Sequence, residues 1–357
     1  LGRLAELRKK LLHKKLDALL VTKPVNRNYL SGFTGSTAFL VVTLRSALFV
    51  TDSRYTEQAK KEINGEFELV EIKSTKEYYK TIVDIVKKDK VNVLAIESRN
   101  LVFSQYETLK KYLPKKEISG QTGLIEELRE IKTEEELAYI RKAVDIAEIA
   151  FEKTLKKIKP GISENEIAAE LEYNMRLSGA EGPSFPTIVA SGKRGALPHG
   201  VASEKKVNKG ELIVLDFGAV YKGYCSDLTR TVGLGIINRL FKNRYKVVYG
   251  AQQKAISSIK SGVILSVPDK KARIYLQKHS MEKYFTHGLG HGIGMEIHEN
   301  PSINSKIKGI LKTNMVITIE PGVYFNGGSG IRIENDIIVN DKGCEILGKD
   351  QQRLVVL

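Results

Sequence analysis

Two cysteines in 357 residues leave no material for a disulfide framework, and the separation of Cys225 from Cys344 excludes a zinc knuckle. No apolar run approaches the ~18 residues of a membrane span. The N-terminal stretch LGRLAELRKKLLHKKLDALLV breaks its leucines with lysines. That pattern makes an amphipathic helix running into a strand rather than a signal peptide. Reduced thiols without a leader point to the cytoplasm. Nucleotide-binding loops are missing too. Asp216-Phe217-Gly218 spells a kinase triplet without its companion motifs, and GLGHGIG lacks the spacing of a phosphate cradle.

Charge, by contrast, is plentiful. Lysine and arginine number 57 against 42 acidic residues, a formal net charge of +15. Such a surplus raises nucleic acid as a partner. However, stretches such as KEYYKTIVDIVKKDK and LKKYLPKKE interleave their lysines with acids, as a solvated surface does. This argues against nucleic acid and suits a heat-adapted protein.

The length fits two domains. Residues 1–124 read as an α/β domain: LDALLVTKP, TAFLVVT, SALFVTD and VNVLAIES are strands, and SRYTEQAKKEI and SQYETLKKYL helices. Residues 125–357 change style. Thr133 and Glu136 form a capping box opening a long helix that Pro160-Gly161 stops. Ser163 and Glu166 cap a second helix, with Gly179 as its stop. ELIVLDFGAVY then turns at Lys222-Gly223 into YCSDLTRTVG, an antiparallel hairpin. AQQKAISSIKSG, DKKARIYLQKH, MVITIEPGVYF and IRIENDIIVN repeat the helix–helix–hairpin order. We read a diverged duplication of about a hundred residues, an α+β domain with pseudo-twofold symmetry.

Each hairpin carries acids where a buried sheet should carry none. Asp216 ends the apolar run LIVL, and Asp227 lies on the return strand. Glu320 ends VITI, and Glu334 lies on its return strand. A buried carboxylate must be paired or must bind a metal. No motif supplies enough arginines for four of them, whereas two divalent cations would balance them. Half of the six histidines crowd into HGLGHGIGMEIHE, as His287, His291 and His298. Adding His291 gives a set of oxygen donors with one nitrogen, which favours Mn²⁺ or Co²⁺ over a thiolate-type zinc site, with Zn²⁺ still tolerated. Two bridged ions roughly 3.5–4 Å apart would acidify a water between them. The glycines of the loop let the backbone approach closely. Cys225 reads as a packing residue and His13 and His279 as surface groups. Arg54 and Tyr55 support a strand-to-helix turn or an inter-subunit contact.

LDFGAVYKGYCSDLTRTVG, HGLGHGIGMEIHE, TIEPGVYF and GIRIEND resemble the pita-bread metallopeptidases, the superfamily of methionine aminopeptidases, Xaa-Pro aminopeptidases, prolidases and creatinases. NRNYLSGFTGS and LFVTDSRYTEQA are similar to the creatinase/prolidase-type N-terminal domain, which methionine aminopeptidases lack. The resemblance implies that Asp216 holds one ion, Asp227 and Glu334 bridge, and His291 and Glu320 complete the other. It implies that His199, in ALPHG, binds substrate and that His298 polarises the scissile carbonyl. His287 would line the pocket, Tyr324 and Arg332 would support the ligands, and Glu320 would shuttle a proton. A bridging hydroxide would then attack the carbonyl before proline. The substrates expected are peptides with proline second, and the assembly a homodimer.

Within the superfamily, prolidases place an arginine shortly after the HE pair to clamp a dipeptide carboxylate. HENPSI has Ser302 there, which favours an Xaa-Pro aminopeptidase over a dipeptidase. The complete ligand set argues against creatinase chemistry and against a binding module that has lost its metals. Three departures stand out: Asn335 where an acid is usual, Pro186 where aspartate is common, and a divergent segment 236–268.

Overall fold

The apolar runs of the first third become the strands of one mixed sheet. In this computed structural model, which describes residues 2–357, the chain divides into two compact units after Arg129. In the first unit the strands lie, edge to edge, as Glu68–Ile72, Ala47–Asp52, Phe39–Thr43, Ala18–Val21, Val93–Glu97 and Glu117–Gln121. The central strand Ala18–Val21 is buried throughout and pairs antiparallel with Phe39–Thr43 but parallel with Val93–Glu97. Helices Thr75–Lys88 and Phe103–Tyr112 place Tyr79, Ile82, Val86 and Leu109 against one face. Arg54 folds back onto Asp52 at 2.8 Å, and Tyr55 meets Ser36 at 2.6 Å, so both stabilise the strand-to-helix turn.

The second unit opens on the helix Glu134–Leu155. Thr133 and Glu136 cap it reciprocally, and Ser163 and Glu166 do the same for the helix Glu164–Leu177. The first helix closes a turn ahead of Pro160-Gly161. Lys157 and Ile158 already bond three residues back, to Thr154 and Leu155, and this tighter turn ends the α-helical ladder. Gly179, at φ +103°, accompanies the end of the second helix. Leu212–Phe217 then pairs antiparallel with Leu228–Gly233. The chain reverses at Lys222 and Gly223, both with positive φ, as a tight hairpin turn demands.

The same order follows again. Helices Arg239–Ile256 and Ser266–Lys278 precede Gly290–Gly292, Val316–Ile319 and Asn335–Val339, which lie side by side in a five-stranded sheet. The divergent segment 236–268 thus builds an ordinary helix, whose Tyr245, Val248 and Ala251 are buried. Two apolar cores result. One gathers Leu137, Ile140, Phe151 and Leu171 around the first hairpin, and the other gathers Val248, Leu276, Ile317 and Ile337 around the second. Among the described residues no helix is long and apolar enough to cross a membrane, and both cysteines are free.

Candidate metal centre

The two hairpins deliver their acids at and beside strand ends. Asp216 lies in its strand, whereas Asp227 and Glu334, expected on the return strands, sit just before Leu228–Gly233 and Asn335–Val339, and Glu320 sits just after Val316–Ile319. Asp216 lies opposite Thr229 in the first ladder, so their side chains share a face. Thr229 donates its hydroxyl to Glu334 at 2.6 Å, which ties the first hairpin to the acid of the second. Asp227, His291 and Glu334 each offer a donor atom, and the three atoms lie within 4.8 Å of one another. His291 Nε2 also lies 3.7 Å from Glu320 Oε1, and 3.5 Å from Asp227 Oδ2. The other ring nitrogen, Nδ1, faces the Gly292 carbonyl at 3.1 Å. The proton therefore belongs on Nδ1, and Nε2 presents a lone pair. Burial, reinforced by His298, holds this imidazole neutral down to about pH 4. The Nε2 lone pair thus converges with the carboxylate oxygens of Asp227, Glu320 and Glu334 on one small space, which is the arrangement a cation fits.

Electrostatics gives the same answer. Burial, then the charge of Glu334, pushes Asp227 and Glu320 well above the usual carboxylate range. Burial and Asp216 lift Glu334 to about 8. A buried, ionised carboxylate without a counter-charge costs several kcal/mol, so a site built this way holds protons or cations. Arginine answers only part of the charge. Arg332 binds Asp216 Oδ2 at 2.6 Å, while Asp216 Oδ1 is buried with no hydrogen-bond partner. The donor set of four carboxylates and one neutral imidazole, with that orphaned oxygen, fits divalent cations.

Other expected residues form the surroundings. Arg332 pairs with Asp216 rather than with its strand neighbour Glu334, and it also donates to Tyr324 Oη at 2.7 Å and to the Pro198 carbonyl at 3.1 Å. Burial lifts the Tyr324 phenol to about 12, so it stays neutral and donates to His287 Nε2 at 2.9 Å. Burial keeps His287 neutral down to about pH 4. His298 is exposed, its ring edge-on to that of His291 at 4.3 Å. His199 is exposed on the turn after Pro198 and stands outside the carboxylate cluster. The glycines act as expected: a Cβ on Gly290 would fall 2.0 Å from the Thr318 carbonyl oxygen, and one on Gly292 2.1 Å from that of Asn300.

Sequence reasoning missed several contributors. Asp336, fully buried, accepts the Asp227 backbone N–H at 3.0 Å. Two-residue alternation from Glu334 would have found it, since alternation puts residues 334 and 336 on one side. It also turns Asn335 away, and Asn335 instead binds Gln252 and the Leu347 carbonyl. Pro186 is exposed. Arg230, wholly buried, donates to the Glu334 carbonyl and to Glu148.

Residues 138–341 match metallopeptidase family M24, and residues 3–131 match the creatinase/prolidase N-terminal domain. The chain belongs to metallopeptidase family M24. M24 membership makes it a hydrolase that works with divalent metal ions. A protein named Xaa-Pro dipeptidase from Pyrococcus horikoshii is 40% identical over 95% of each chain. Among solved structures, the Xaa-Pro dipeptidase from Bacillus anthracis superposes with a TM-score of 0.96 at 39% identity, covering 99% of both chains. The X-Pro aminopeptidase from Thermotoga maritima gives 0.92 at 38% identity, covering 98% of this chain and 99% of that one. The fold of these two structures covers 98–99% of this chain, the N-terminal domain included.

Proposed function

We propose that this M24 peptidase is an Xaa-Pro aminopeptidase, removing the N-terminal residue of peptides whose second residue is proline. The observation that carries the metal chemistry is the convergence of donor atoms from Asp227, His291 and Glu334 within 4.8 Å of one another, with Glu320 3.7 Å from the same imidazole. In this reading Asp216, Asp227, His291, Glu320 and Glu334 hold two divalent ions, with Mn²⁺ or Co²⁺ preferred for their oxygen-rich set and Zn²⁺ tolerated. Ions held there lower the pKa of a water and polarise a carbonyl. Glu320, the acid of the second hairpin with 17% of its side chain exposed, takes the proton of the attacking water. It passes that proton to the proline nitrogen as the C–N bond breaks. His298 donates to the carbonyl oxygen as negative charge develops. His199 binds the substrate from the first half, His287 lines the pocket, and Tyr324 and Arg332 hold the acids in place. Proline offers no backbone N–H, so a dedicated site for this bond makes chemical sense.

Ser302 supports the aminopeptidase over the dipeptidase. It lies directly opposite His291 in the ladder and is exposed, so its side chain shares the face of the imidazole. A cation at position 302 would meet the carboxylate of a dipeptide, whereas serine leaves room for a longer chain. The second reading, a dipeptidase, is favoured by the name of the Pyrococcus horikoshii relative. The test compares Xaa-Pro with Xaa-Pro-Xaa peptides on Mn²⁺-loaded enzyme. We expect the tripeptides to be preferred, and S302R to move the preference towards the dipeptide. Strong dipeptide preference in the wild type would reverse the ranking.

The reading also includes division of labour between residues 1–124, an N-terminal domain, and 125–357, the catalytic domain. The family resemblance supports a homodimer, and two free cysteines fit a reducing cytoplasm.

A further inference from the structure

The chemistry above leaves Glu164 without a role. It is the first residue of its helix, just after the N-cap Ser163, and its side chain has no exposed surface. A carboxylate at a helix start is electrostatically favoured, but this one directs its lone pairs away from its own helix. Oε1 accepts from the backbone N–H and the hydroxyl of Ser191, at 2.7 and 2.8 Å. Oε2 accepts from Ser203 Oγ at 2.6 Å and Arg194 Nε at 3.2 Å. All four donors belong to one segment, residues 191–203, which runs from the end of the strand Ile188–Ser191 through the 3₁₀ helix Gly192–Ala196 into a loop, and His199 lies within it. Arg194 also donates to the Val201 carbonyl, closing the loop across the histidine.

The opposite side of the loop is held as well. Arg332 binds the Pro198 carbonyl, and Gly330 packs so tightly that a Cβ there would fall 1.8 Å from the Gly195 carbonyl oxygen. The loop is thus clamped between a buried carboxylate and the arginine that pairs with Asp216. Only an ionised carboxylate offers about four acceptor sites in so small a volume. Glutamine would turn donors towards two of the four donors.

We propose that Glu164 is a positioning residue, whose carboxylate fixes the segment 191–203 and so aims His199 at the substrate. This rests on the reading of His199 as a substrate-binding residue. The experiment is a double-mutant cycle on the full-length, Mn²⁺-loaded enzyme, using whichever of Xaa-Pro and Xaa-Pro-Xaa the wild type prefers. E164Q should lower kcat/KM by roughly ten- to a hundred-fold, as small misplacements do, mainly through KM. Mn²⁺ affinity by calorimetry should stay unchanged. In an H199A background E164Q should cost nothing further, because the group it aims is gone. R194M, which removes three bonds, to Glu164, Ser203 and Val201, from a part-exposed side chain, should give a smaller loss of the same kind. E166Q weakens the same helix start, touching only Ser163 and Lys206, and should keep wild-type kinetics. If E164Q fails to fold, the R194M/H199A cycle makes the same comparison. Equal cost of E164Q with and without His199 would overturn the positioning role alone. A silent H199A would overturn the reading of His199 and this role together.

Discussion

Both halves of the catalytic unit run helix, helix, hairpin, and both put an acid near the start of the second helix to work on a histidine-bearing loop. They do so differently. In the first half Glu164 grips the loop directly and His199 stays exposed. In the second, the fully buried Asp269 binds Arg273 at 2.8 Å. Arg273 in turn donates to the carbonyls of Phe285, at 3.0 Å, and His287. A guanidinium relay reaches further than a carboxylate and carries more donors, so the second loop is held by its backbone while His287 packs against Tyr324. One half presents its histidine to solvent, and the other packs its histidine against a tyrosine.

The halves also divide the charge unequally. Asp216, in the first, already has the Arg332 guanidinium and leaves Asp227 as that half's one acid with a raised pKa, whereas both Glu320 and Glu334, in the second, carry raised values. The largest effect should therefore come from either acid that faces His291. Asp227→Ala and Glu334→Ala should each reduce turnover to background and lower the ion content after dialysis, one variant from each half. Full activity in either would remove that acid from the site. Arg332→Met should be less severe. It frees Asp216 and releases Pro198 and Tyr324, and loss of such a supporting contact lowers metal affinity by roughly ten- to a hundred-fold. Calorimetric titration with Mn²⁺ checks this, and unchanged affinity would show that Arg332 is dispensable.

The smallest effect is a dependence on pH. Glu334 has its folded pKa raised from 4.5 to about 8. Between those values the metal-free folded state keeps a proton that the unfolded chain has lost, so metal-free stability falls as pH rises through that window. Cations displace the proton, so the gain in melting temperature on adding Mn²⁺ should grow from pH 5.5 to pH 8. E334Q should flatten that growth. A gain independent of pH in the wild type would contradict the raised value.

Much of this was legible in the chain itself, because the signals are local. Reciprocal caps at Thr133/Glu136 and Ser163/Glu166, the reversal at Lys222-Gly223 and acids ending apolar runs all follow from neighbouring residues. The helices Pro24–Ser31 and Thr75–Lys88 and the strands Glu68–Ile72 and Glu117–Gln121 were less visible. The two strands are sheet edges, largely part-exposed, and pair in parallel, so neither alternation nor a continuous apolar run marks them. Within the site, the four acids could be named from the two hairpins and His291 from its glycine-rich loop. The partner of Arg332 and the grip of Glu164 could not, since each joins residues distant in the chain: Arg332 with Asp216, Glu164 with Ser191 and Ser203.

Anomalous diffraction from Mn²⁺-soaked crystals puts the central claim to its most direct test. Two peaks are predicted, both contacted by Asp227 and Glu334, with Asp216 beside one and His291 and Glu320 beside the other. A map without peaks there, in which Arg332 still caps Asp216 and the remaining acids stay protonated, would contradict the account.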